Sequence, residues 1–305
     1  MTPRKVNIVE VGPRDGLQSE PEILSTACKV EFIARAIDAG VTRLEVASFV
    51  HPKKVPQMAD AEALLNELPL RDDVSYIGLI MNERGLDRAL DTAVHEIGMV
   101  VVATDTYNER NQGVPTNESI DAWLKIAARA RANGKIANVM ISSAFGCPFE
   151  GEVSPDRIVD IAKKVMEAEP AELGIADSIG VAVPNQVSDL LGMLQTALGP
   201  IPLRCHLHNT RNTGLANAQA AINAGVASID ASIGGIGGCP FAPAATGNIP
   251  TDDLLYMLSR SGIETGMSLE KIIATSEWLE QELGRRVPAM LPKAGIFPNV
   301  EKGAR

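Results

Sequence analysis

Short runs of β-branched and aliphatic residues alternate with longer amphipathic stretches from one end of the chain to the other. The runs Val6–Val11, Arg43–Ala47, Ser75–Ile80, Glu96–Ala103, Asn138–Ser143, Glu172–Ala176, Pro202–His206 and Ser228–Ile233 have the length and composition of strands. Between them, apolar residues recur at helical spacing over Thr26–Ala39, Met58–Leu68, Glu83–Ala93, Asn117–Asn133, Ser154–Ala168, Asn185–Ala197 and Thr213–Gly225. Thr26 stands where it can cap the first helix and Gly40 where it ends it. Pro155 lies just inside the helix that Ser154 opens, and Asn133-Gly134 and Ala224-Gly225 close two more.

Eight strands, each followed by a helix, is the count of an α/β fold of the (β/α)8 TIM-barrel type. An open doubly wound sheet would carry a glycine-rich phosphate turn after its first strand, whereas here that turn is the charged Gly12-Pro13-Arg14-Asp15-Gly16. No shift in composition marks a domain boundary before about Ala245, and residues 1–305 read as one catalytic barrel domain. Helical patterns over Asp252–Ser261 and Ser268–Leu283 make 251–305 a helical extension packed on it.

In a barrel, reactive groups collect at the carboxyl ends of the strands. Arg14 and Asp15 follow the first strand, Glu45 and Ser48 lie in or after the second, Asp177 follows the sixth, and Cys239 comes after the eighth. His206 and His208, two of only four histidines, end the seventh. Residues two apart in a strand face the same side, so both imidazoles converge on one point, and a metal ion is the natural common object. Asp15 adds a carboxylate, and Asn248 an amide oxygen. Mixed oxygen and nitrogen donors suit Mg²⁺ or Mn²⁺; Zn²⁺ also accepts two histidines and a carboxylate but fits the set less well. Arg14 either meets negative charge developing on a substrate oxygen or forms an ion pair with Glu10 or Glu45. Cys239 sits in Gly234-Gly235-Ile236-Gly237-Gly238-Cys239-Pro240, a loop able to approach a ligand closely.

Charge and composition narrow the partners. A net charge of −10 argues against nucleic acid or an anionic membrane. The first residues lack an apolar signal core, and no run reaches spanning length, so a cytoplasmic protein is expected. The four scattered cysteines read as reduced thiols. A homo-oligomer is compatible with the sequence.

Together these segments resemble the 3-hydroxy-3-methylglutaryl-CoA lyase family of metal-dependent barrel lyases, related to Claisen-type synthases. The resemblance is carried by Val9-Glu10-Val11-Gly12-Pro13-Arg14-Asp15-Gly16-Leu17-Gln18 and by Ser48 to Met58. It continues through Gly146-Cys147-Pro148-Phe149-Glu150-Gly151, Asp177-Ser178-Ile179-Gly180, Cys205-His206-Leu207-His208 and the glycine–cysteine loop. It implies metal ligation by Asp15, His206, His208 and Asn248, enolate stabilisation by Arg14 and proton transfer by Cys239. It also implies support from Glu45 and Asp177, with Arg14, Gln18, Ser48 and Arg211 placed toward an acyl-CoA thioester. The implied reaction is metal-assisted retro-Claisen cleavage of 3-hydroxy-3-methylglutaryl-CoA to acetyl-CoA and acetoacetate. Pro21 stands where the family commonly has lysine, Gly174 where it has serine, and Asn209-Thr210-Arg211-Asn212 where it reads Asp-Thr-Tyr-Gly. These departures keep other readings open: a lyase for a different hydroxyacyl-CoA, a condensation of acetyl-CoA with a 2-oxoacid, or a silent acyl-CoA-binding barrel.

Overall fold

The computed structural model describes residues 4–239 and 242–298. Eight parallel strands close into a barrel: β1 (Asn7–Glu10), β2 (Arg43–Ser48), β3 (Ser75–Ile80), β4 (Glu96–Val102), β5 (Ile136–Ser142), β6 (Leu173–Asp177), β7 (Leu203–Leu207) and β8 (Ser228–Ala231). Each pairs with its sequence neighbours, and β8 closes on β1 through Ser228–Asn7 to Ala231–Glu10. The surrounding helices are α1 (Thr26–Asp38), α2 (Ala61–Glu67), α3 (Glu83–Leu90), α4 (Asp105–Gln112), α5 (Thr116–Ala132), α6 (Pro155–Val165), α7 (Pro184–Leu198), α8 (Gly214–Asn223), α9 (Thr251–Arg260) and α10 (Leu269–Leu283). The fold is the (β/α)8 barrel that the alternation of patterns predicts. Among the described residues, no helix is long and apolar enough to cross a membrane.

Two local expectations differ. Ser25, not Thr26, caps α1: its hydroxyl accepts from the Cys28 amide at 3.2 Å, leaving Thr26 free to donate to Asp60 at 2.8 Å. The helix α4 has no counterpart in the sequence reading, because its residues (Asp-Thr-Tyr-Asn-Glu-Arg-Asn-Gln) offer no apolar period. Buried Asn108 anchors it instead, accepting from the Val102 amide at 3.2 Å and donating to the Val114 carbonyl at 2.8 Å.

The apolar core lies between strands and helices, with Leu44, Tyr76, Ile97, Trp123 and Leu279 fully buried. Inside the barrel, where branched aliphatic layers are usual, the amino-terminal end is polar. Arg43 bridges Glu96 and Glu172 at 2.7 and 2.8 Å, Asn138 donates to Glu96 at 2.7 Å, and Ser228 donates to Glu172 at 2.6 Å. The segment after α9 is tied down at both ends. Ile263–Glu264 pairs with Arg4–Lys5, and Trp278 of α10 meets Phe32 and the Arg35 guanidinium of α1.

Glu10 fastens the first strand to the chain beyond the eighth. Its carboxylate accepts from the Gly12 and Ile233 amides at 2.8 and 2.9 Å and from the Thr251 hydroxyl at 2.7 Å. Burial outweighs these donors and pushes its pKa from 4.5 up to about 8. A carboxyl raised on folding binds a proton that the unfolded chain releases. Its contribution is therefore whole below the unfolded value and is lost as pH rises through about 8. Thermal melts should fall in Tm from about pH 5 to about pH 8.5, and Glu10→Gln should make that slope shallower. Parallel slopes in the two proteins would overturn the assignment.

Candidate active site at the carboxyl end of the barrel

Beyond β1 the chain makes one wide helical turn in which the amides of Arg14, Asp15 and Gly16 all donate to the Val11 carbonyl, at 3.2, 2.7 and 3.2 Å. That turn directs the Arg14 and Asp15 side chains over the barrel mouth. From β7, His206 and His208 reach the same point. The ligand atoms of Asp15, His206 and His208 lie within 4.8 Å of one another, and the two Nε2 atoms are 3.1 Å apart. That separation is close to the roughly 3.0 Å edge between neighbouring ligands of an octahedral cation with bonds of about 2.1 Å.

Hydrogen bonding decides which atoms stay free. Asp15 Oδ1 accepts from Arg14 and Gln18 at 2.8 and 3.1 Å, while Oδ2, among the described residues, accepts only from Asn248 Nδ2 at 2.8 Å and lies 4.0 Å from His206 Nε2. Asn248 Nδ2 also donates to the Ile236 carbonyl at 3.1 Å, which turns Oδ1 away from both acceptors; among the described residues, the buried Oδ1 has no hydrogen-bond partner. An orphaned carbonyl oxygen costs free energy unless something fills its lone pairs. A bridge between His208 and Asn248 sets the amide beside the imidazole. Gly237 must be glycine here. Its φ is +109°, and a Cβ would stand 2.6 Å from Asn248 Nδ2.

Charges alternate around this point. His206 Nδ1 meets Asp230 Oδ2 at 3.0 Å; Asp230 pairs with Arg204, Arg204 Nη2 lies 3.7 Å from Glu45, and Glu45 pairs with Arg14, which returns to Asp15. Burial lowers the His206 pKa, but the hydrogen bond to Asp230 and the Asp15 charge outweigh it and the net shift is upward. Burial and the neighbouring His206 push His208 down to about 4. Asp15 is held below its ordinary range because Arg14 and the histidines overcome its burial. Asp15 is thus ionised and His208 neutral, the forms that bind cations, while a cation bound here would displace the proton that the upward shift favours on His206. Asp230 supplies the outer carboxylate that commonly orients a ligand histidine. These residues fit a divalent cation.

The cavity in front of them has a volume of about 1130 Å³ and is lined by Arg14, Asp15, Gln18, Glu45, His206 and His208, among others. Pro21 and Gly174 also line it. Three expected residues stand elsewhere. Ser48 is fully buried off the cavity wall, its hydroxyl accepting from the Val50 amide at 3.4 Å. Asp177 is turned into its own loop, accepting from the Val181 and Ala182 amides at 3.0 and 2.9 Å. Arg211 does not line the cavity: its guanidinium donates to the Ile179 and Gly180 carbonyls at 2.9 Å each. It braces the loop after β6 instead of bringing charge to the metal ligands. The Cys239 side chain lies outside the described residues. Its neighbour Gly238 lines the cavity and accepts from the Ser19 hydroxyl at 3.0 Å, which ties the glycine loop to the turn after β1.

Comparison with known proteins bears directly on this arrangement. The family model HMGL-like matches residues 5–279. The chain belongs to the HMGL-like family. Among HMGL-like relatives, the (R)-citramalyl-CoA lyase of Chloroflexus aurantiacus is 42% identical over 97% of this chain and 96% of its own. The hydroxymethylglutaryl-CoA lyase of Bacillus subtilis is 36% identical over 94% of this chain and 96% of its own. The solved HMG-CoA lyase of Acinetobacter baumannii, in complex with coenzyme A and 3-methylmalate, superimposes with a TM-score of 0.93 at 35% identity, covering 97% of both chains. Like these HMGL-like proteins, this chain is a lyase.

Two contributors to the site, Arg204 and Asp230, were not singled out in the sequence. Both obey the alternation that joins His206 to His208. Arg204 lies two residues before His206, and Asp230 is the registered partner of His206 on β8.

Proposed function

We propose that this chain cleaves the C2–C3 bond of a hydroxyacyl-CoA thioester whose C3 carries a hydroxyl, a methyl group and a carboxylate arm, releasing acetyl-CoA and an oxoacid. 3-Hydroxy-3-methylglutaryl-CoA, giving acetoacetate, and citramalyl-CoA, giving pyruvate, are the two members of this class that the relatives use. The observation that carries the reading is the meeting of the Asp15, His206 and His208 ligand atoms beside Arg14, at the mouth of a cavity of about 1130 Å³.

Asp15, His206, His208 and Asn248 would hold a divalent cation, Mg²⁺ or Mn²⁺ by the mixed donor set, and when bound it supplies Lewis acidity that makes the substrate hydroxyl easier to deprotonate. Arg14 has its Nε and both Nη atoms oriented by Glu45 and Asp15. A guanidinium has five N–H donors, so donors remain to receive charge arriving on the thioester oxygen. The hydroxyl gives its proton to a base, its oxygen closes to the C3 carbonyl of the oxoacid as the C2–C3 electron pair moves into the thioester to form an enolate, and C2 takes up one proton, so none is gained or lost overall. Cys239 is the proposed donor to C2. Asp230 keeps His206 in the tautomer whose Nε2 lone pair faces the cavity.

The test is acetyl-CoA release from purified protein, offered both thioesters with Mn²⁺ and again with EDTA. Metal-dependent release from either supports the reading. No release from either, with Mn²⁺ demonstrably bound, refutes it in favour of a condensation or a silent binder.

A further inference from the structure

Met140 and Gly174 face each other in register on β5 and β6, and both line the cavity. A Cβ on Gly174 would stand 2.4 Å from Met140 Sδ and 2.5 Å from its Cε. The thioether therefore lies in the space that any side chain at position 174 would occupy. Gly174 is registered with Arg204 on β7, and His206 with Ala176, one pleat repeat further along. At about 3.3 Å per residue, the row of Met140, Gly174 and Arg204 lies roughly 6–7 Å below the row of His206.

The cavity continues beneath that row. Asn138 and Glu172 also line it, and Asn138 Oδ1 is buried without a hydrogen-bond partner. Met140 is thus an apolar side chain between the metal ligands and a polar chamber at the base of the barrel.

We propose that Met140, seated on Gly174, is the floor of the acyl subsite and selects thioesters whose carboxylate stands directly on the hydroxyl-bearing carbon over those with one more methylene in that arm. The inference rests on the lyase reading given above. A short arm keeps its carboxylate at the height of the Asp15, His206 and Arg14 side chains. A longer arm drives the carboxylate down onto sulfur and methyl, which give it no hydrogen bond, while Arg204 in the same row is already engaged by Asp230 and Glu45; a carboxylate buried without a partner of its own is strongly disfavoured.

The experiment measures kcat/KM for citramalyl-CoA and for 3-hydroxy-3-methylglutaryl-CoA in the wild type, Met140→Ala and Met140→Gln, with Mn²⁺ affinity by calorimetry as a control. The wild type should favour the shorter arm. A single methylene in a fitted pocket discriminates by about 10–200-fold, so Met140→Ala should shift the ratio toward the longer arm by about tenfold or more. Met140→Gln, of similar volume, should shift it the same way by offering an amide donor at the same depth. Mn²⁺ affinity should stay unchanged in both. A wild-type preference for the longer arm, or a ratio moving less than about twofold in both variants, overturns the floor assignment and leaves the lyase reading standing. Absence of turnover with either thioester in the wild type overturns the lyase reading and takes the floor with it.

Discussion

Replacing His206 with alanine is expected to cost more Mn²⁺ affinity than any other single change outside Asp15. The Nε2 atom is 3.1 Å from His208 Nε2 and 4.0 Å from Asp15 Oδ2, so it is shared by two of the pairs that define the site. Its Nδ1 is already committed to Asp230 at 3.0 Å, which holds the ring in place before any ion arrives. Losing such an outer partner typically costs 10–100-fold in affinity. Asp230→Asn should therefore weaken Mn²⁺ binding by about that factor, and His206→Ala and Asp15→Asn by more. Calorimetric titration of protein stripped with EDTA reads this directly and needs no substrate. Circular dichroism separates it from unfolding, since His206 contacts solvent at the cavity and its removal opens no closed core void. An unchanged Mn²⁺ affinity in both His206→Ala and Asp15→Asn would remove the ligand assignment and, with it, the chemical basis of the proposed lyase.

The barrel was legible because its strands are short apolar runs and its helices carry a clear amphipathic period. The helix α4 was not, since its eight residues are almost all polar and are held by Asn108. The pair His206 and His208 was legible by alternation, and the same alternation reaches Arg204 in Leu203-Arg204-Cys205-His206. What it cannot supply is the partner across the sheet. Asp230 becomes visible only once β7 and β8 are in register. Arg211 shows the opposite error. The resemblance places Arg211 toward the thioester, but the chain turns at Asn212, whose φ of +57° is in the left-handed region, and the guanidinium ends on the carbonyls of Ile179 and Gly180. Ser48 was read as a strand-end polar group. Nothing in its spacing says that it is sealed beneath the cavity wall. The departures at Pro21 and Gly174 do lie on that wall, so the sequence located where the acyl preference is open without showing that Met140 fills the space.

The second large effect belongs to Arg14. Its side chain is buried between Glu45 and Asp15, with the charge fixed in place before substrate binds. A donor already oriented toward the oxygen where charge develops needs no rearrangement during the reaction, and removing one such donor costs about 10²–10³ in turnover. Arg14→Ala should lose that factor in kcat at saturating thioester. It should also melt earlier, because Glu45 keeps only the distant Arg204 contact at 3.7 Å and a buried carboxylate deprived of its partner is destabilising. Arg14→Lys separates the two losses. An ammonium keeps the charge balance of Asp15 and Glu45 but cannot hold both while presenting further donors in one plane. The lysine variant is therefore expected to recover most of the melting temperature and little of the turnover. Turnover within a few-fold of wild type in Arg14→Ala would assign the arginine to scaffold work alone. Equal recovery of turnover and stability in Arg14→Lys would mean that charge, without the geometry of the guanidinium, is what the reaction requires.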